Sequence, residues 1–282
     1  MAAPDFVVVG HVTLDRFGDA TQPGGAALYA AMAAHRLGLS VGILTSHGDD
    51  FPLELIPPQI EVVSVPAEAT TTFVYEAGAV TRTMSVSAVA RTLGPADVPE
   101  DWVDASLVLL APVAGEIDPL LATAFTGPTL AAAAQGWLRA IEPAGAVTPA
   151  MWTPPEFLLG RLQAIFLSTE DVAGQEEAAI AWFERVPIGV LTAGRLGALL
   201  FVNGERYEIA PRVTREVDAT GAGDVFAAHF LIHYQIGGDA WDAAAAASCA
   251  ASLSVEAAGT EGLPDRTRLD QALRDHLRLG LG

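Results

Sequence analysis

The stretch Asp218–Asp224 reads Asp-Ala-Thr-Gly-Ala-Gly-Asp and is the strongest indicator of fold and chemistry in this chain. The apolar run Val225–Ile232 follows at once, so a helix is predicted over 221–236. Free N–H groups at its N-terminus, together with the helix dipole, attract anions. Asp224 is a carboxylate beside this anion site, where it can take a proton from a hydroxyl that attacks a bound phosphate. The stretch therefore predicts phosphoryl transfer.

Two other interpretations of the same stretch were weighed. Asp218 and Thr220 are typical of an ordinary helix N-cap, and Asp224 would then be only a first-turn acid. A dinucleotide-binding loop, as in a nicotinamide-dependent reductase, needs a third glycine, but Val225 and Phe226 stand where it should be. The reductase is disfavoured, and the N-cap stays open on this stretch alone.

Three further motifs precede this stretch along the chain. They are Gly10–Asp15 with Gly24–Gly38, Leu167–Asp171, and Leu191–Ala198. Together with Asp218–Asp224 they resemble, in order, the motifs of the ribokinase, or phosphofructokinase-B, family of carbohydrate and nucleoside kinases. The resemblance spans almost the whole chain. It implies one α/β domain over 1–282, a three-layer α/β/α unit with a mostly parallel central sheet and a small β-sheet lid formed approximately by 12–18 and 68–87.

The order of apolar runs agrees with an α/β fold. Buried strands are predicted at Phe6–Gly10, Val41–Thr45, Leu107–Ala111, Thr129–Ala133, Ile165–Leu167 and Ile188–Thr192. Helices are predicted at Gly24–Leu37, Gly221–Ile236, Ala240–Ala257 and Thr267–Leu279. A strand that alternates with a helix in this way predicts a parallel sheet.

The resemblance implies an ATP-dependent kinase that uses Mg²⁺. Asp224 would be the general base, and Gly221, Ala222 and Gly223 would form an anion hole for the transferring phosphoryl group. The acceptor would be a small polyol, most simply a sugar or cyclitol.

Acceptor-binding candidates lie near the N-terminus and on the lid. The carboxylate of Asp15 can accept two hydrogen bonds from a diol, and Gly24 and Gly25 let the backbone approach the acceptor. The remaining candidates are Thr13, His11, Arg82 and Arg139. A turn acid, a plain glycine turn and solvated arginines are the alternative interpretations.

Donor-side candidates follow from the resemblance. Those expected against the nucleotide are Thr192, Gly194, Gly197, Thr220 and Gly259. Asp171 and Glu170 would order magnesium-bound waters, although a surface helix N-terminus explains them nearly as well. The carbonyl oxygens of Asp218 and Thr220 are candidates for a monovalent cation such as K⁺, as in some relatives.

The chain departs from the family pattern at three positions. Tyr29 stands where the family often has an Asn that touches sugar hydroxyls, and Ser168 and Asp171 replace an Asn and a Glu. Substrate identity and the magnesium water shell are therefore open. A nucleoside kinase is an alternative, with Tyr29 and Phe51 as candidate stacking platforms for a base. A metabolite sensor without catalysis is a second alternative, which the intact Asp224 disfavours.

The composition excludes several partners and chemistries. The 282 residues carry a formal net charge of −19 and are 51% hydrophobic, so a large core is expected, and nucleic acid and anionic membranes are not expected as partners. The sequence contains no lysine, which excludes a phosphate-loop lysine or a Schiff base. No apolar run of membrane-spanning length and no signal peptide is seen, so a cytoplasmic protein is expected. An exposed lid edge predicts a homodimer through the lid.

Cys249 and the pair His229 and His233 receive structural interpretations. A single cysteine in an alanine-rich helix is expected to be a small buried side chain. The two histidines are four residues apart, as zinc ligands can be, but Phe230 stands where the zinc-protease motif has its Glu.

Overall fold

The structure is a computed structural model that describes residues 2–77, 82–127 and 129–280. Its strands are β1 (Phe6–Val9), β2 (Thr13–Phe17), β3 (Ala20–Gly24), β4 (Val41–His47), β5 (Ile60–Pro66), β6 (Thr71–Ala77), β7 (Arg82–Ala88), β8 (Leu107–Leu110), β9 (Thr129–Ala133), β10 (Arg139–Ile141), β11 (Val147–Pro149), β12 (Ala164–Ser168), β13 (Ile188–Thr192), β14 (Ala198–Val202) and β15 (Glu205–Ile209). Its α-helices are α1 (Ala26–Arg36), α2 (Glu156–Leu159), α3 (Glu176–Phe183), α4 (Ala222–Gly237), α5 (Ala240–Ser254) and α6 (Arg266–Gly280).

The central sheet has nine strands in the order β15-β14-β13-β12-β9-β8-β1-β4-β5. The strands from β13 to β5 are parallel, and β14 and β15 are antiparallel at one edge. Alternate residues of β1 enter two cores: Phe6 and Val8 pack with α1, α4 and α5, whereas Val7 and Val9 pack with α2 and α3. The predicted three-layer α/β/α architecture with a mostly parallel sheet is confirmed.

A second sheet of four strands has the order β3-β2-β6-β7. It includes the segments predicted for the lid and adds β3, so Gly24 ends a strand and the first helix begins only at Ala26. Residues 78–81, part of the predicted hairpin turn, lie outside the described residues. That this sheet closes over the site stays a prediction.

The sequence analysis did not predict the small hairpin of β10 and β11. The turn between these strands lies against β7, where the N–H of Val86 donates to the carbonyl of Gly145 at 2.7 Å and Ser85 bridges Ala146. This edge of the second sheet is therefore partly paired within the chain. A homodimer through the second sheet stays a prediction, and β3 is the other edge strand at which it would form.

Three further observations concern residues singled out in the sequence. Cys249 is fully buried in α5, and burial raises the pKa of its thiol to about 11. Burial lowers the pKa of His229 to about 3, and its ring stacks on that of His233 with centroids 6.0 Å apart. Within the described residues, no group of three or more His, Cys, Asp or Glu side chains could hold a metal ion. No helix in the described ranges is long and apolar enough to cross a membrane.

Candidate active site

The carboxyl ends of the parallel strands and the N-terminus of α4 define the candidate site, as is general in open α/β sheets. Gly221 is the N-cap of α4 with φ 75°, a conformation that favours glycine. A Cβ built on Gly223 meets nothing within 4 Å, so open space lies in front of this residue. The N–H of Ala222 donates to the carbonyl of Ala219 at 3.2 Å, which corrects the expectation that it is entirely free.

The side chain of Asp218 shapes the loop before α4. Its Oδ1 accepts hydrogen bonds from the N–H and the hydroxyl of Thr220 at 3.0 and 2.7 Å. Its Oδ2 accepts from the N–H of Gly259 at 3.0 Å, which ties two predicted donor-side residues together. The cation role predicted for the carbonyls of Asp218 and Thr220 stays a prediction.

Asp224 lies in the first turn of α4 and is half-buried. Burial raises the pKa of this carboxyl to about 7; the nearby Arg139 opposes the rise and Asp171 adds to it. A carboxylate with a pKa near neutral can accept a proton from an attacking hydroxyl more readily than an ordinary aspartate. The geometry therefore suits a general base.

Arg139 connects Asp224 to the acceptor side. Its Nη1 donates to the carbonyl of Val113 at 3.0 Å, and its guanidinium lies 5.7 Å from the centroid of the Phe73 ring in β6. These contacts fix a cation near the base, rather than leaving a solvated arginine. The side chain of Arg82, the other predicted arginine, lies outside the described side chains.

Asp15 is buried in β2, where its Oδ1 accepts a hydrogen bond from the Thr13 hydroxyl at 3.0 Å. A Cβ on Gly24 would lie 2.3 Å from Oδ2 of Asp15, and one on Gly25, with φ 97°, would lie 2.4 Å from the carbonyl oxygen of His11. The two glycines are therefore required by contacts within the chain. A role for them towards the acceptor stays a prediction.

The expectation that His11 lines the acceptor pocket is corrected. His11 is fully buried, and its ring nitrogens contact the Thr71 hydroxyl at 2.7 Å and the carbonyl of Arg91 at 2.8 Å. Its backbone N–H donates to Glu116 at 3.0 Å. The ring holds the junction between the two sheets rather than a ligand.

Glu116 is a residue that the sequence analysis missed. It is buried, and its carboxylate accepts from the N–H groups of His11, Val113 and Ala114, the last at 2.7 Å. It thereby fixes the loop after β8 to which Arg139 is bonded. The one local signal was an acid after Gly115, whose φ is 73°.

The donor side lies at the end of β13. Thr192 donates to the carbonyl of Leu167 at 3.3 Å, and Gly194 has φ 54°. A Cβ on Gly197 would lie 2.2 Å from the carbonyl oxygen of Ile209, so this glycine is needed for packing against β15. Nucleotide contacts of these residues stay predictions.

Exposed aliphatic side chains lie in the two segments beside this donor side. Leu196 is 84% exposed, and Val213 and Val217 are 93% and 60% exposed. Arg195 and Glu216 join the two segments through an ion pair of 3.1 Å. We call Leu196, Val213 and Val217 the aliphatic patch.

Asp171 and Ser168 bond each other reciprocally: Asp171 Oδ2 accepts from the N–H of Ser168 at 2.9 Å, and the hydroxyl of Ser168 accepts from the N–H of Asp171 at 3.1 Å. Asp171 also lies near Asp224, whereas Glu170 is exposed. Mg²⁺ usually takes one or two carboxylates, with phosphate oxygens and waters completing its shell. The residues present therefore fit a magnesium ion that arrives with a phosphate donor.

Comparison with known proteins decides the family. Residues 156–266 match the model of the pfkB family carbohydrate kinases. The cytidine kinase of Thermococcus kodakarensis is 27% identical over 83% of this chain and 89% of its own length. A pyrophosphate-dependent kinase in the ribokinase family is 21% identical, with TM-score 0.80 over 95% of this chain and 99% of its own. Arabidopsis thaliana ribokinase, complexed with ribose and ATP, is 21% identical, with TM-score 0.72 over 96% and 99%.

These matches assign the chain to the PfkB, or ribokinase, family of carbohydrate kinases. The protein is a phosphotransferase with a hydroxyl group as acceptor, as the sequence analysis predicted. PfkB-family kinases act on small-molecule sugars or nucleosides, and ATP is the donor expected for the family.

One feature expected of a nucleoside-specific PfkB kinase is corrected by the structure. Tyr29 and Phe51 were candidate platforms for a nucleobase, but they are only 1% and 5% exposed. A stacking platform must present a ring face to the ligand. In this structure neither ring does so.

Proposed function

We propose that the protein transfers the γ-phosphate of ATP, with Mg²⁺, to a hydroxyl of a small neutral sugar or cyclitol. The observation that carries the proposal is the placement of Asp224 in the first turn of α4, beside the open space at Gly223 and with a carboxyl pKa of about 7. A base and an anion-binding helix end are thus adjacent. Phosphoryl transfer needs both, one for the acceptor proton and one for the phosphate charge.

The mechanism follows from this chain's own residues. Asp15 orients acceptor hydroxyls, and Asp224 takes the proton of the hydroxyl that attacks the γ-phosphorus. The N-terminus of α4 stabilises charge on the transferring phosphoryl oxygens. Mg²⁺, when bound, supplies charge neutralisation and alignment of the phosphates. Arg139 holds positive charge between the base and the phosphate, and closure of the second sheet excludes the water that would otherwise hydrolyse ATP.

The aliphatic patch supports a nucleotide donor. Leu196, Val213 and Val217 are exposed beside the donor side, and apolar surface of this kind suits a purine base. Inorganic pyrophosphate is a second candidate donor, because the fold matches a pyrophosphate-dependent kinase with TM-score 0.80. Pyrophosphate would make no use of the patch.

Alternative acceptors follow from the relatives. A nucleoside acceptor is favoured by the cytidine kinase relative, although Tyr29 and Phe51 present no stacking face. A sensor without catalysis would have no use for the base, because sensing needs binding alone.

The first experiment is a screen of product release by the purified protein. Mg-ATP and Mg-pyrophosphate are tested in parallel against ribose, fructose, myo-inositol, cytidine and adenosine, with ADP or orthophosphate measured. ADP release with a sugar or cyclitol is the expected result. Orthophosphate release with pyrophosphate alone would replace the donor, turnover of cytidine alone would replace the acceptor class, and no turnover despite ATP binding would favour the sensor.

The pH dependence of kcat/KM is a second prediction. Because Asp224 must be deprotonated to act as a base and its pKa is about 7, activity falls about tenfold per pH unit below pH 7. Replacing Arg139 with Gln removes the cation that opposes the rise, so the acidic limb moves to higher pH. A flat profile between pH 5.5 and 8, or an unmoved limb in the variant, would contradict this assignment.

A further inference from the structure

Tyr29 is a buried residue that the proposed mechanism does not use. It is the fourth residue of α1, is 1% exposed and lies against the N-cap of α4. A Cβ built on Gly221 would meet the Tyr29 ring at 2.2 Å from its Cγ. The ring thus fills the space that a side chain at Gly221 would take, directly beside the anion-binding helix end.

The hydroxyl of Tyr29 is buried and has no hydrogen-bond partner within the described part of the chain. A buried hydroxyl without a partner costs free energy, since water satisfies it in the unfolded chain. A phenylalanine would fill the same volume without that cost. A hydroxyl kept in such a place calls for a partner that the protein itself does not supply.

The surroundings of this hydroxyl indicate what that partner is. Burial raises the pKa of the phenol, and repulsion from Asp218, Asp15 and Asp224 raises it further. The phenol therefore stays protonated and can donate a hydrogen bond. The three acids come from the loop before α4, from β2 and from α4, and they converge around one side chain.

We propose that the Tyr29 hydroxyl is a specificity-determining hydrogen-bond donor of the acceptor site, which selects a neutral polyol by binding a hydroxyl next to the one that is phosphorylated. This inference rests on the proposed function. An alcohol can accept from Tyr29 and donate to Asp15 or Asp224 at the same time. A carboxylate or phosphate on the acceptor would be repelled by the same acids.

Access to the hydroxyl depends on the second sheet. Asp15 and Tyr75, two of the groups whose charge reaches Tyr29, lie on β2 and β6 of that sheet. Displacement of this sheet from α1 uncovers the hydroxyl from that side. The acceptor then occupies the space between the sheet and α4, and the sheet closes on it.

The test is equilibrium binding of myo-inositol, D-ribose, D-fructose and cytidine to the whole chain without a donor, by calorimetry, in the wild type and in Tyr29→Phe. The matched control is Tyr207→Phe, which makes the same change at an exposed tyrosine bonded to Glu205. For the polyol that binds, Tyr29→Phe weakens affinity about tenfold, as expected for one lost hydrogen bond to a buried group. Its melting temperature does not fall, and Tyr207→Phe binds as the wild type does.

A deoxy analogue of the bound polyol identifies the partner hydroxyl. Removal of that hydroxyl weakens binding to the wild type but not to Tyr29→Phe, because the two changes delete the same contact. Equal polyol affinity in wild type and Tyr29→Phe, binding of cytidine alone, or binding of none of the four compounds would overturn the inference. A wild type that binds polyol but transfers no phosphate would contradict the proposed function and leave the binding comparison intact.

Discussion

Replacing Asp224 with Asn lowers the turnover of the accepted substrate by about 10²–10⁴-fold, the usual contribution of a general base. The same variant is more stable than the wild type at pH 8. The folded-state pKa of about 7 lies above the model value of 3.8. The stability associated with the bound proton is complete below about pH 3.8 and is lost as the pH rises through 7, at about 1.4 kcal/mol per pH unit. A neutral amide avoids that loss.

Thermal unfolding at pH 5 and pH 8 measures the second effect. The melting temperature of Asp224→Asn exceeds that of the wild type at pH 8 by several degrees, and the gain shrinks towards pH 5. Glu184→Gln is the matched control, because it removes one carboxylate at an exposed position after α3. It leaves turnover and stability near those of the wild type. If Asp224→Asn retained turnover, the assignment of the base would fail.

Alanine at Gly221 and alanine at Gly223 have opposite effects on stability. Gly221→Ala places a methyl group 2.2 Å from the Tyr29 ring at a residue with φ 75°, so the fold loses about 1–3 kcal/mol or more and activity falls with it. Gly223→Ala meets nothing within 4 Å and lies inside α4, where alanine is favoured over glycine by up to about 1 kcal/mol. Its melting temperature does not fall.

Activity separates the structural role of Gly223 from its role towards a phosphate. If the phosphoryl group enters the open space at Gly223, the added methyl lowers kcat/KM by about 100-fold in a folded protein, which is of the size reported for loss of one oxyanion contact. Circular dichroism and thermal melts of the two variants establish which loss of activity is due to unfolding. Full activity in Gly223→Ala would place the phosphate elsewhere.

Local patterns predicted the elements well where one element is set by its own residues. The apolar run Phe6–Val9 forms a buried central strand, and the helix predicted after Gly221 is α4. The hairpin of β10 and β11 was missed because both strands are only three residues long. Glu116 was missed for a different reason: its contact with His11 joins residues 105 positions apart, and no local pattern marks it.

The glycines show how a correct motif can carry an incomplete explanation. Gly24, Gly25 and Gly197 were predicted to make room for ligands. In the structure a Cβ at each would contact Asp15, His11 or Ile209 of the chain itself. The sequence records that a side chain is excluded, but it does not record what excludes it.

The sequence by itself determined the fold class and the reaction class. A Gly-Ala-Gly turn before an apolar helix, followed by an acid, needs only neighbouring residues to form, so its chemistry is visible in the order of letters. The tertiary structure decided the pKa of Asp224 and the burial of Tyr29. Both depend on groups that only folding brings together: Arg139 and Asp171 beside Asp224, and Gly221 against the Tyr29 ring. Electrostatic and packing energies depend on distance in space, which sequence separation does not give.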